Sequence, residues 1–164
     1  MKGRYRVGDV VETFSCDDER YVGLREDGDS VELTGDRVVA LHDGWEVRGG
    51  RVGEELLWVR GSEEHRATAL AFTGTSPAYD VQVAWLLAME VGAARRVRLV
   101  ELTEPVGAAR TVEQSWTRGP GPEPEVERYD VADLATGERW VVHLSGLVLV
   151  SREGARTAWL DTLL

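Results

Sequence analysis

Apolar residues in this chain come in short, valine-rich runs divided by glycines and acidic residues. Arg20–Arg25 and Ser30–Thr34 flank Glu26-Asp27-Gly28-Asp29, a spacing that predicts a hairpin because glycine supplies the positive φ of a tight reversal. Gly35-Asp36 turns the chain into Arg37–His42, and Asp43-Gly44 turns it into Trp45–Arg48. The opening part therefore reads as an antiparallel meander, continued by strands at Glu55–Arg60 and His65–Phe72. Alternation returns at Arg96–Leu102, Arg110–Thr117, Val126–Leu134 and Glu138–Leu144. Val112, Gln114 and Trp116 share one face and Thr111, Glu113 and Ser115 the other; likewise Trp140, Val142 and Leu144 oppose Arg139, Val141 and His143. Period-two patterning of this kind predicts a sheet with one buried face.

One segment breaks that period. Thr75-Ser76-Pro77 sets a hydroxyl residue before a proline, a helix start signal. Val81, Ala84, Trp85 and Ala88 follow at three- and four-residue steps, Leu86 and Leu87 widen the apolar face, and Gly92 is placed to end it. One helix near residues 77–89 is predicted. The whole pattern implies a mainly β fold, with residues 1–164 forming a single β-rich domain. Its expected architecture is a curved antiparallel half-barrel or open β-barrel of about ten strands, with the helix covering the sheet or plugging its mouth. The Pro/Gly-rich stretch 118–125 reads as a hairpin loop, because the roughly 40 residues after it are too few for a core of their own.

Composition narrows the function classes. The chain has 164 residues, 43% hydrophobic and 29% charged, the range of one ordinary globular domain. Arginine is used almost to the exclusion of lysine, and isoleucine and asparagine are absent, a bias expected of a GC-rich bacterial genome. A formal net charge of −10 opposes extended contact with nucleic-acid phosphates or an anionic bilayer, so no nucleic-acid partner is expected. The most apolar windows, Val81–Met89 and Leu144–Val150, are too short to span a membrane. Without an apolar leader at the N-terminus the expected location is cytoplasmic. The apolar end Ala158–Leu164 would close the barrel or join a homodimer.

No catalytic motif emerges. His42, His65 and His143 share no metal-ligand spacing, Ser76 and Ser145 lack a nucleophile elbow, and Cys16 sits beside acidic residues that disfavour a thiolate. No catalytic residue, metal or cofactor is therefore assigned. Arg95, Arg96 and Arg98 form the only basic cluster, read as strand-edge charges that deter edge pairing ahead of an anion site. Six tryptophans are the marked excess. Indole rings either fill a core or line an apolar cavity, and on a curved sheet Trp58, Phe72, Trp85, Trp116, Tyr129 and Trp140 become the candidate ligand-binding residues.

The order of segments also resembles that of the bacterial glycolipid-binding family, whose fold is similar to the unclosed β-barrel of lipoprotein carriers. The likeness rests on residues 18–25 followed by Val31-Glu32-Leu33-Thr34-Gly35-Asp36-Arg37-Val38-Val39, on Thr75-Ser76-Pro77, on Leu86–Gly92, and on Gln114-Ser115-Trp116-Thr117. It covers most of residues 18–150, while that family's central aspartate and tryptophan strand has only Asp43-Gly44-Trp45 as a partial counterpart. The resemblance implies an open β fold and a lipid-like ligand. The leading expectation is non-enzymatic binding of an apolar or amphiphilic small molecule (lipid or glycolipid-like). The alternatives are a structural or protein-protein interaction module with a solid core, and an enzyme using Glu101, Glu113 or His143 as base on a small hydrophobic substrate.

Overall fold

The computed structural model describes residues 1–102 and 110–164. Among these residues the chain forms β1 (Lys2–Val7), β2 (Val10–Cys16), β3 (Arg20–Arg25), β4 (Ser30–Thr34), β5 (Arg37–His42), β6 (Trp45–Val52), β7 (Glu55–Arg60), β8 (Glu63–Thr68) and β9 (Ala71–Thr73), then α1 (Pro77–Leu87). After the helix come β10 (Ala94–Glu101), β11 (Arg110–Gly119), β12 (Glu127–Asp133), β13 (Arg139–Ser145), β14 (Val148–Gly154) and β15 (Ala158–Leu163). All fifteen strands lie in one open sheet, ordered β8-β7-β6-β5-β4-β3-β2-β1-β15-β14-β13-β12-β11-β10-β9.

The mainly β, single-helix architecture agrees with the sequence pattern, but the strand count of about ten does not. The additional strands are β1, β2, β14 and β15, together with the division of His65–Phe72 between β8 and β9. The first four are neighbours at the middle of the sheet, where β1 pairs with β2 on one side and with β15 on the other. Their inward positions include Gly3, Glu12 and Arg152, which blunt the apolar alternation by which strands are recognised. β8 and β9 are separate because the chain leaves the sheet at Ala69-Leu70. Arg51 Nη2 bonds both carbonyls there, and the Leu70 N–H donates to Arg98 O at 2.8 Å. The two edges of the sheet are thus consecutive in sequence. β9 pairs parallel with β10, and α1 makes the crossover that a parallel pair requires.

Inward side chains from most strands form one core around Tyr5, Phe14, Val38, Leu56, Leu99, Trp116, Val142 and Leu149. The helix lies on this face, against β9 and β14. It begins as the sequence predicts: Ser76 caps it by accepting from the Ala78 N–H, with Pro77 at the first helical position. It ends sooner than 89, because Ala88 turns to a positive φ of 45° and donates its N–H to Ala84 O. Its buried face also differs from the expected one. Ala78, Tyr79, Asp80, Val83, Ala84 and Leu87 are buried, while Trp85 and Leu86 are exposed.

Apolar contact alone therefore does not orient α1. Asp80, in its first turn, bonds Arg152 of β14 at 2.6 Å, and Arg152 Nη2 donates to Thr75 O at 3.0 Å. Burial pushes the Asp80 carboxyl above its ordinary pKa, although Arg152 pulls the other way. Breaking a buried pair leaves an unpaired charge in the interior, so Asp80→Ala is expected to destabilise the protein by about 3–5 kcal/mol. The double variant Asp80→Leu/Arg152→Met should recover most of that loss. Urea unfolding of the three proteins measures both effects.

Candidate functional site

Trp85 and Leu86 stand over a cleft of about 240 Å³ between α1, the β2–β3 turn and the β4–β5 turn. Its floor is apolar, made by Tyr21, Leu33, Ala78, Val81 and Leu147. Its rim is polar and mainly acidic, with Asp17, Asp18, Glu19 and Asp36 facing the lone cation Arg20. That arginine is already engaged by Glu32 at 3.0 Å. Gln82 closes one end by donating Nε2 to Gly35 O at 2.8 Å. Asp17 accepts the N–H groups of Glu19 and Arg20 at 2.9 and 2.8 Å, and these bonds hold its carboxyl below the usual range. The rim is therefore ordered and anionic. Trp85, 54% exposed on a helix whose opposite side is buried, leaves an indole face free for a ligand.

A second pocket, of about 40 Å³, lies under the N-terminus of α1. Its centre is Glu12, wholly buried on the inward face of β2. Glu12 Oε2 accepts from the Tyr21 hydroxyl at 2.5 Å and from Ser76 Oγ at 2.8 Å, while Oε1 has no partner. Gly23 makes room for this carboxyl, since a Cβ there would fall 2.9 Å from the Glu12 carboxyl carbon. Burial raises the Glu12 pKa, and its two hydroxyl donors and Arg25 offset only part of the rise. Arg25, cross-strand partner of Glu12, donates Nη1 to Thr75 Oγ1 at 2.7 Å and pairs Nη2 with Asp27 at 3.1 Å, whereas its Nε is unpartnered. On the far wall His42 Nδ1 bonds Asp29, which also accepts the Asp43 N–H at 3.0 Å. Burial tends to raise the Asp29 pKa, but the Asp43 and His42 contacts outweigh it and the net shift is downward.

The six aromatic candidates are not gathered around one hollow. Trp58 of β7 and Phe72 of β9, from opposite ends of the strand order, meet edge to face, with ring centroids 6.3 Å apart. Trp116 and Tyr129 pack 5.6 Å apart on β11 and β12, where the Trp116 Nε1–H donates to Gln114 Oε1. Trp140 is buried under the Arg156 guanidinium, 4.5 Å from its ring, and borders a separate groove of mixed polar and apolar lining with Ser115, Thr117, Asp130 and Val141. Trp85 alone of the six lines the apolar cleft.

The proposed bases do not converge either. Glu101 faces inward and pairs with Arg110, while Glu113 and His143 face outward toward Arg98 and Ser151. Among the described residues no three His, Cys, Asp or Glu side chains form a metal cluster.

Glu12, Tyr21, Arg25 and Arg152 were not legible as a site. One sign was available: Glu12, Phe14 and Cys16 alternate, which puts a carboxylate on an otherwise apolar face.

No family model matches this chain, and no curated protein does. A solved structure does. The crystal structure of a DUF1089 family protein from Pseudomonas aeruginosa aligns with a TM-score of 0.54 over 87% of this chain and 88% of that one, at 11% identity. A likeness at that identity shows a shared fold. The resemblance to the glycolipid-binding family, which no family model reproduces, adds an expectation about ligand rather than a membership.

Because Glu12 binds its proton more tightly folded than unfolded, its ionisation opposes folding. Stability should fall as pH rises from the unfolded value near 4.5 toward the higher folded one. Asp80 acts in the same direction, so Glu12→Gln should flatten the decline without abolishing it. Denaturant unfolding between about pH 4 and pH 8 tests this; an unchanged slope would mean that the buried carboxyl titrates normally.

Proposed function

We propose that this protein is a non-enzymatic binder of a small amphiphile, held in the cleft beside α1 with its apolar chain against Trp85. The observation that carries the reading is the pairing of an exposed indole and an apolar floor with an ordered polar rim. Covering a large exposed side chain contributes about 1.5–3 kcal/mol, a natural reason for Trp85 and Leu86 to face outward together. The rim selects the head group. Asp17, Asp18, Glu19 and Asp36, in a chain of net charge −10, repel an anionic head and offer acceptors to hydroxyl groups. A glycolipid-like molecule fits this chemistry better than a fatty acid.

Five of the six aromatic candidates support the solid-core alternative instead, since they pack within the protein interior. The binding reading thus rests on the helix surface and not on a barrel cavity. Dodecyl maltoside below its micelle concentration should bind with saturation in isothermal titration calorimetry. Trp85→Ala should weaken it by about tenfold, equivalent to about 1.4 kcal/mol, and laurate should bind at least as much more weakly than the maltoside. Equal affinity in the wild type and Trp85→Ala, or tighter binding of laurate, would rule out this cleft and head-group chemistry.

A further inference from the structure

The pocket under the helix N-terminus shares no lining residue with the cleft, and its chemistry is different. Two of its lining residues carry a buried polar atom without a partner: Glu12 Oε1 and Arg25 Nε. They come from directly paired positions of β2 and β3 and face the same side of the sheet. A buried polar group left alone costs about 1–3 kcal/mol, so two in one small space call for a shared occupant. At about 40 Å³ the pocket exceeds the roughly 10–15 Å³ that one water needs. His42, on its wall, is about one-third exposed, which gives the pocket a way to solvent.

We propose that this pocket is a hydroxyl-recognition subsite, in which an alcohol or sugar hydroxyl bridges Glu12 Oε1 and Arg25 Nε. The charges around it favour a neutral group. Glu12, Asp29 and nearby Asp27 oppose an anion, and Arg25 opposes a cation. A hydroxyl both donates and accepts, so it satisfies the Arg25 N–H and matches the Glu12 oxygen whether or not that carboxyl carries a proton. Thr75, Ser30 and the Asp29–His42 pair supply further polar neighbours for a second hydroxyl of a diol. The inference does not depend on the cleft beside Trp85 and stands or falls separately.

The test is a titration with 1,2-ethanediol, the smallest 1,2-diol, followed by the Arg25 Nε–Hε and the Thr75 and Ser76 amide resonances in nitrogen–proton correlation spectra. Acetate and methylammonium serve as charged probes of similar size. Ethanediol should shift the three signals with saturation, while neither ion does. Arg25→Met, and Arg25→Lys, which keeps the charge but has no Nε–H, should each weaken the diol by about tenfold at the Thr75 and Ser76 signals. Linear shifts without saturation, or wild-type affinity retained in both Arg25 variants, would show that the pocket holds water only. Saturation by acetate or methylammonium in place of the diol would make it an ion site and equally overturn the proposal.

Discussion

Charge inside the concave face must be paired, and this requirement determines where the helix sits. Apolar burial is non-directional, and a helix held by it alone has several nearly equivalent seats on a curved sheet. Asp80 and Arg152 remove that freedom. Their 2.6 Å contact, with the bond from Arg152 to Thr75 O, is made in one position and one orientation only. At the N-cap of the same helix Ser76 does two jobs: it accepts from the Ala78 N–H and donates to Glu12 of β2. The first turn of α1 is thereby tied to strands from both ends of the chain. The exposure of Trp85 follows, because a helix seated by Asp80 cannot also turn residue 85 into the core.

Topology makes this arrangement cooperative. β1 and β15, the first and last strands, pair side by side, and Tyr5 on β1 accepts a hydrogen bond from the Leu149 N–H of β14 at 3.0 Å. The centre of the sheet is therefore assembled from contacts of the greatest sequence separation, which carry the largest loop-closure cost and slow folding. The meander β3–β8 and the run β10–β13 are local by comparison. Glu12 lies on one side of the central seam and Arg152 on the other. The helix joins the two halves, reaching Glu12 through Ser76 and Arg152 through Asp80.

What could be read from the sequence follows the same division. The local hairpins were legible because apolar alternation and glycine turns coincide there, as at Arg20–Thr34 and Glu127–Ser145. The central strands were not, and the reason is physical: β2 and β14 spend inward positions on Glu12 and Arg152, the polar groups that hold the helix. Residues that confer the seat are those that spoil the pattern. The helix start at Ser76-Pro77 was visible from cap chemistry, but its buried face was not, because Asp80 in a first turn reads equally as a solvent-facing charge favoured by the helix dipole. Tryptophan abundance pointed to a lined cavity, whereas beneath α1 the aromatic ladder is Tyr5, Phe14 and Tyr21, stacked at 4.4 and 5.8 Å.

The ladder also supports placing the proposed amphiphile beside the helix and not inside the sheet. In a small barrel the interior is occupied either by side chains or by a guest. Here side chains have taken it: the tyrosine and phenylalanine rings fill the floor, α1 covers them, and the interior space at Glu12, about 40 Å³, admits a hydroxyl group but not an alkyl chain. Among the described residues, the cleft lined by Leu33, Val81 and Trp85 offers the proposed amphiphile both an apolar floor and an exposed aromatic face. Openness of the sheet thus serves to admit the helix, and the helix in turn presents the exposed Trp85 and Leu86 surface on which the proposed binding rests.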